Sequence, residues 1–472
     1  MNARKISQFA LGPVGSILLG FASLPLVTRY FSEADIGRLS LLQVTANFSV
    51  LLFGLGLDQA YVREYHEARD KVALLRTSLG PGLALLLAVL GGALLLGLPM
   101  DLWLFGQQSS WLSLLLVVAL VVYFIAYFLA LVLRMEERAL AYSGSQFVPR
   151  LVYLLVVLGI VFASGVAGLI SLLSAYVMSL LAAFVWVALL TRTEWLQAVR
   201  PGPFLNLGEM IRYGLPLVVG GVSFWGLTAA DRYLLRGMSN FDELGIYSVA
   251  VMLASAAAVL HRVFSTVWAP TVYKWAAAGD DLQRVDTVGE FVLAAVAAMF
   301  CLAGLLSGLV LFLLPPEYAS VQFLLMPCLY YPLMYILSEV SVVGVNLSKR
   351  TGFAMAAGVA AMLLNVGLNF LLIPHFGASG AAVATAISFW FFLMLRTEFS
   401  CRVWRPLPRR KMYGVTLAGL VAASWAVWMG PQLGGWYYLV WLVGLLLCLA
   451  LFWPIYRVAL QWGMSAARRR FS

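Results

Sequence analysis

Apolar runs of about 20 residues, separated by short polar punctuation, follow one another along the 472-residue chain. A run of that length crosses the roughly 30 Å hydrocarbon core of a bilayer as an α-helix. The pattern therefore predicts an all-α integral membrane protein with about 14 transmembrane helices, at 6–30, 36–57, 77–98, 111–133, 147–164, 167–190, 211–236, 244–269, 287–314, 320–347, 352–373, 379–396, 412–430 and 436–458. Strands of a membrane barrel are about ten residues long and alternate in polarity; these runs do neither. Arg4 and Lys5 precede the first run, which extends to about Phe31 with no small-residue cleavage site after it. It reads as a first span and not as a signal peptide.

Composition agrees, with 62% hydrophobic and only 11% charged residues. A soluble domain carries about 25% charge, so a soluble globular enzyme is excluded. The net charge of +10 raises nucleic-acid binding, but the basic residues are not spread evenly. With the N-terminus on the inside, alternate connections hold Arg63, Arg69, Lys71 and Arg76, then Arg134, Arg138 and Arg150, and later Arg396, Arg402, Arg405, Arg409, Arg410 and Lys411. The outer connections near residues 100, 165, 317, 375 and 433 hold neither Lys nor Arg. This bias is an orientation signal that places both termini in the cytoplasm, and it suits an anionic inner leaflet of membrane lipids. No nucleic-acid partner is needed to explain it. Arg29, Arg38, Arg232, Arg236 and Arg262 fall outside the tally.

The remaining chemistry is sparse. Cys301, Cys328, Cys401 and Cys448 lack the close spacing of a metal or redox motif, and His66, His261 and His375 lie far apart. There is no phosphate-binding GxxxxGK[ST] loop. An internal repeat organises the chain instead. Arg29-Tyr30, Glu33, Asp35, Gly37 and Ser40 recur as Arg232-Tyr233, Asp242, Glu243, Gly245 and Ser248. Phe162-Ala163-Ser164-Gly165 is echoed by Phe376-Gly377-Ala378-Ser379-Gly380. Two six-helix bundles are expected, 1–195 and 211–398, joined by a cytoplasmic linker at 196–210 that contains Pro201-Gly202-Pro203. A basic loop at 399–411 and two additional helices with a basic tail at 412–472 complete the chain. Because six is even, the halves are parallel repeats related by a pseudo-two-fold along the membrane normal, an arrangement that puts a substrate site near the midplane.

At this point the chain resembles the oligosaccharide/polysaccharide (O-antigen type) flippase family of the multidrug/oligosaccharidyl-lipid/polysaccharide exporter superfamily. The likeness rests on Gly12-Pro13, Leu24-Pro25-Leu26, Arg29-Tyr30, Gly37, and Phe53 to Ala60 with Arg63. It continues through Asp231-Arg232 and Gly245-Ile246-Tyr247 to Asn365-Val366-Gly367-Leu368-Asn369, Leu372-Ile373-Pro374 and Phe376 to Ala382. It covers about residues 5–400. It implies a bacterial inner-membrane protein, not an enzyme. The protein would move an undecaprenyl-diphosphate-linked oligosaccharide from the cytoplasmic to the periplasmic leaflet by alternating access, for O-antigen, capsule or exopolysaccharide. A polysaccharide polymerase and a chain-length regulator are the implied partners.

Such a cargo carries phosphates and sugars that cannot cross hydrocarbon bare, and arginine suits phosphate through its planar fork of donors. A buried charge with no use is costly in a membrane. Arg29 and Arg232, at equivalent repeat positions, together with Arg236 and Arg262, are the candidate substrate-binding residues; snorkelling to the headgroups is the alternative for Arg29. Glu339, Asp231 and His261 are candidates for counter-charge or for coupling to a proton or sodium gradient, the only cofactor expected. Asp231 is expected to pair with Arg236 or with an arginine of the other half. Arg262 pairing with Glu339 or Asp58 is the structural alternative. Asp58, Asn365 and Asn369 are read as structural polar residues, the asparagines bonding between helices. Three rival functions remain open: a membrane glycosyltransferase or polymerase, a cation-coupled multidrug exporter, and a peptidoglycan-precursor flippase.

Overall fold

In a computed structural model, residues 3–164, 168–458 and 461 are described, and among them the chain is helical throughout with no strand. Twelve helices are long and apolar enough to cross a membrane. One of them, 52 residues long, contains a break at Gly377 (φ 51°, ψ −129°) and is two spans in one, and a further apolar helix covers Trp436–Leu451. Contacts divide the chain into two compact units, Met1–Trp225 with Asn240–Gly245, and Gly226–Ser239 with Ile246–Ser472.

The first unit contains α1 (Ala3–Tyr30), α2 (Glu33–Phe53), α3 (Leu57–Glu64), α4 (Lys71–Leu95), α5 (Met100–Phe105), α6 (Ser110–Met135), α7 (Ala139–Gly159), α8 (Leu169–Leu190), α9 (Arg192–Val199) and the opening part of α10 (Leu207–Met238). Helix starts follow local chemistry. The Ser32 hydroxyl accepts from Asp35 N ahead of Glu33 and Asp35, and Asp70 accepts from Ala73 N at 2.9 Å. Both satisfy first-turn amides that would otherwise lack partners. Within the spans, Thr28, Thr45, Thr77 and Ser78 each donate to the carbonyl four residues back, so few hydroxyls meet hydrocarbon unpaired. The repeat echo at Phe162–Gly165 ends beyond a π-helical turn at Ile160–Ser164; Gly165 lies outside the described residues, as does the basic tail Arg468–Arg470.

Two backbone approaches hold this unit. Gly56 (φ +71°) abuts the backbone of Gly214 on α10, and a Cβ on Gly214 would meet Leu55 O at 2.8 Å. Gly245 likewise lies against Glu33 O, while a Cβ on Gly37 would reach Gly245 N at 3.0 Å, so the two copies of the repeat motif touch through their glycines. After α9 the linker is gripped by Arg76, whose Nε, Nη1 and Nη2 donate to the carbonyls of Ala198, Pro203 and Gln197, each at 3.1 Å. Thr77 Oγ1 accepts from Leu205 N at 2.8 Å.

The second unit takes the remainder of α10, α11 (Phe241–Ala254) from Ile246 onward, α12 (Ala258–Ala278), α13 (Arg284–Leu306), α14 (Val310–Leu313), α15 (Val321–Cys328), α16 (Tyr330–Leu347), α17 (Gly352–Val403), α18 (Arg410–Leu433) and α19 (Trp436–Leu451). α16 is its axis: the Val321–Leu347 span is 78% buried. The predicted span at 244–269 is longer in the structure. Only a 3₁₀ turn at Ser255–Ala257 interrupts it, and α12 continues to the left-handed cap Gly279. Gly380 sits against Leu372 O, within 2.5 Å of a Cβ placed there, which is how the two arms of α17 fold across Gly377. The basic loop before α18 is held by Arg405 on both oxygens of Asp286 (2.8 and 3.0 Å) and by Arg409 on Glu398 (2.7 Å).

A side chain at position 56 meets both a left-handed backbone and the Gly214 backbone. Gly56→Ala is expected to cost about 2 kcal/mol or more, read as a lower thermal midpoint of the detergent-solubilised protein. Gly92→Ala, where nothing lies within 4 Å, leaves the midpoint unchanged.

Candidate functional site

The second unit holds two charged clusters inside its spans. In the first, Glu339 on α16 pairs with Arg396 on the second arm of α17, Nη2 to Oε1 at 3.0 Å. Arg396 Nη1 donates to Ser338 Oγ at 2.6 Å, and Ser265 of α12 donates to Glu339 Oε2 at 3.3 Å. The guanidinium lies over Tyr335 and Phe392, 5.4 and 5.0 Å from their centroids, and His261 stands edge-on to Tyr335 at 4.2 Å. Beyond them Trp268, Val272, Val340 and Val343 form an apolar core. The arginine is 9% and the carboxylate 17% exposed, so the pair is desolvated and needs each of these bonds to offset the cost of burial.

Arg396 corrects the charge tally. Its place at the end of a predicted span assigns it to an inner loop, but α17 runs seven residues further, to Val403, and encloses it. α7 starts at Ala139 rather than near 147, so Arg150 lies 12 residues past Arg138, about 18 Å along the helix.

Arg262, next to His261 on α12, is exposed, with no ion pair or hydrogen bond among the described residues. α12 includes Lys274 and ends at Ala278, so Arg262 is about 24 Å from that end of the 38-residue segment Phe241–Ala278. Glu339 is given to Arg396, not to Arg262. His261 lies within electrostatic reach of Glu339, Arg262 and Arg396.

The second cluster surrounds Asp231 of α10, 1% exposed. Its Oδ1 faces Arg232 Nη1 at 3.6 Å and accepts from Arg232 N at 2.8 Å. Its Oδ2 accepts from the hydroxyls of Tyr247 and, at 3.4 Å, Thr385. The carboxylate thus pairs with the adjacent Arg232 rather than with Arg236 or an arginine of the other half as the sequence suggests. Arg232 also donates to Thr228 O at 3.1 Å and lies 5.9 Å from the Tyr247 ring. Asn365 donates to Thr385 Oγ1 at 3.2 Å, and Asn369 donates to Asn365 Oδ1 at 2.9 Å. Both asparagines are fully buried, and Asn369 Oδ1 has no hydrogen-bond partner. Arg236, half-buried, stands one turn beyond Arg232.

In the first unit, Arg29 is exposed at the end of α1. Asp58, at the start of α3, accepts from Gln59 Nε2 at 2.7 Å and from the Tyr127 hydroxyl of α6 at 3.1 Å. Arg38 is spoken for locally, by Asp35 at 3.2 Å, Phe105 O at 2.9 Å and the Phe241 ring at 4.4 Å. Arg29 and Arg232 belong to different units. Tyr247, Thr385, Tyr335 and Arg396 carry no charge pattern that singles them out in the sequence. Tyr247 alone sits in a noted motif, Gly245-Ile246-Tyr247.

Removing one member of the Glu339–Arg396 pair strands the other. Arg396→Ala is expected to destabilise the protein by about 3–5 kcal/mol, and Arg396→Leu with Glu339→Leu to recover most of that loss. Thermal unfolding of the single and double variants in detergent measures the coupling.

Comparison with known proteins places these observations. Among solved structures, the chain is similar to "Lipid II flippase MurJ, inward closed conformation", with 13% identity and a TM-score of 0.68 over 96% of this chain and 99% of that one. It also matches an inward-facing multidrug resistance MATE family transporter of the MOP superfamily, at 14% identity and a TM-score of 0.47 over 87% of this chain and 95% of that one. The first likeness establishes the fold. No curated protein matches the chain. The model of the family described as "Polysaccharide biosynthesis protein" matches residues 3–275, more than half of the sequence, and the chain belongs to that family.

Proposed function

We propose that the protein is a flippase that carries an undecaprenyl-diphosphate-linked oligosaccharide from the cytoplasmic to the periplasmic leaflet of a bacterial inner membrane, by alternating access, for O-antigen, capsule or exopolysaccharide assembly. The observation that carries this reading is Arg262, exposed and without a carboxylate on the long helical span Phe241–Ala278, next to His261, which lies within reach of the buried Glu339–Arg396 pair. A guanidinium carried into a span without a counter-charge costs up to about 3 kcal/mol on insertion scales. An anionic headgroup supplies the counter-charge that the protein withholds, through charge-assisted hydrogen bonds. Family membership supports a glycan cargo. A lipid-linked peptidoglycan precursor shares the same chemistry, and the solved MurJ structure of similar fold favours keeping that second reading.

The Asp231 cluster supports coupling to a cation gradient. A carboxylate, the Thr385 hydroxyl and the unpartnered Asn369 Oδ1 are oxygen donors of the kind that hold sodium, and the same carboxylate also accepts a proton. These residues fit a cation, and Arg232 limits the net charge they present. Arg29 and Arg236 are proposed as further cargo contacts, and a polymerase and chain-length regulator as partners.

In a strain lacking the protein, the wild-type gene is expected to restore surface polymer. Arg262→Gln should lower it about tenfold or more, with lipid-linked oligosaccharide accumulating on the inner leaflet. Normal polymer with Arg262→Gln rejects the site; normal polymer in the strain without the protein, while lipid-linked peptidoglycan precursor accumulates, favours the second reading. Asp231→Asn is expected to abolish the response of transport in vesicles to an imposed sodium or proton gradient.

A further inference from the structure

The basic loop before α18 closes one side of a cleft that neither charged cluster uses. The cleft, about 510 Å³, lies within the second unit, between α13, α16, α17 and the start of α18. That volume is in the range of small-molecule sites. Its floor is apolar, made by the buried side chains of Val285, Leu293, Leu337 and Val340. Its more exposed rim carries Asp286 and Glu290 of α13, with Arg409, Arg410 and Lys411 from the other side.

Ion pairing accounts for all but one of these charges. Asp286 is taken by Arg405 at 2.8 and 3.0 Å, Glu290 by Lys411 at 3.6 Å, and Arg409 by Glu398 at 2.7 Å. Arg410 is exposed, and no ion pair or hydrogen bond engages its side chain among the described residues. The rim therefore keeps a positive charge after its acids are matched. Position makes that surplus costly. The three basic residues open a 24-residue helix that has no acid in its first turn and no capping side chain. Cations at that end oppose the helix dipole, and α18 lacks the side-chain acceptor that Ser32 gives α2 and Asp70 gives α4. An orientation signal accounts for basic residues in such a loop, but not for an apolar cleft behind them.

The chemistry of the cleft selects its occupant. An anionic phospholipid offers a phosphodiester to Arg410 and the start of an acyl chain to the floor, and basic pockets between membrane helices hold such headgroups. The ammonium of a zwitterionic lipid meets Arg410 and Lys411 as a like charge. The chain's own tail, with Arg468–Arg470, is basic and is repelled in the same way.

We propose that the cleft between α13, α16 and α18 is a binding site for an anionic glycerophospholipid of the leaflet that the basic loop faces, with Arg410 on its phosphate and Val285, Leu293 and Val340 along its chain. Bound there, the lipid joins α18 to α13 beside the Lys411–Glu290 pair. The site is separate from the cargo and holds whatever the cargo is.

The test titrates purified, delipidated full-length protein in detergent with dioctanoyl phosphatidylglycerol, dioctanoyl phosphatidylcholine and glycerol 3-phosphate, reading the ligand-induced rise in thermal midpoint. Wild type is expected to respond to phosphatidylglycerol at concentrations where the other two have no effect. Arg410→Gln should weaken that response about tenfold. Gly289→Leu, where an added Cβ meets only Val340 Cγ1 at 3.3 Å, fills the floor and should weaken it similarly with every charge kept. Arg192→Gln removes an exposed cation of the first unit and should leave it unchanged. Wild-type affinity in a folded Arg410→Gln variant overturns the site. An equal response to phosphatidylcholine, or an equal loss with Arg192→Gln, overturns it in favour of an unspecific surface effect. A response to glycerol 3-phosphate as strong as to the lipid, and kept by Gly289→Leu, assigns the cleft to a free phosphate ester and overturns the lipid occupant. If Arg410→Gln fails to fold, a folded Gly289→Leu variant that binds phosphatidylglycerol like wild type overturns the proposal as well.

Discussion

A guanidinium inside a membrane-spanning bundle must be given a carboxylate, a set of carbonyls, or a ligand, because hydrocarbon offers it nothing. The arginines of this chain sort by that rule. Arg232 and Arg396 have acids, Asp231 and Glu339, in their own unit. Arg76 and Arg138 use carbonyls near helix ends. Arg150 and Arg262 have neither among the described residues. The paired charges fasten helices together, while the unpaired ones must be met by water, by headgroups or, on the proposed reading, by an anionic cargo.

The two clusters of the second unit differ in a way that matters for their roles. Glu339 and Arg396 are bracketed by aromatic rings and hydroxyls, so both ions are matched on several sides. At Asp231 the matching is incomplete. One oxygen faces an arginine, the other two hydroxyls, and one asparagine oxygen nearby is left over. A buried network with a surplus acceptor is costly unless a hydrogen-bond donor or a cation joins it.

Much of the architecture is legible in the sequence, because a membrane span is specified by little more than the length of an apolar run. The break at Gly377 is signalled by Pro374 and a small-residue stretch, and the structure places it there. The polar detail is less legible. Arg396 is drawn to the inner face by a tally that assigns each charge to the nearest span end. Those ends move when a helix finds partners for its polar groups, and α7 starts eight residues early while α17 ends seven late. The partner of Asp231 is hidden for a similar reason. Tyr247 is 16 residues away on the next helix and Thr385 is 154 away, distances at which only the packed fold brings side chains together.

The grip of Arg76 on the linker has an implication for how this segment tolerates change. It seizes main-chain oxygens of Gln197, Ala198 and Pro203 and ignores their side chains. Exposed side chains along that stretch are therefore free to drift while its path stays fixed. The exception is Gly202, where a methyl group would press on the guanidinium itself. Gly202 is thus the position of that stretch where an added side chain would press directly on the clasp.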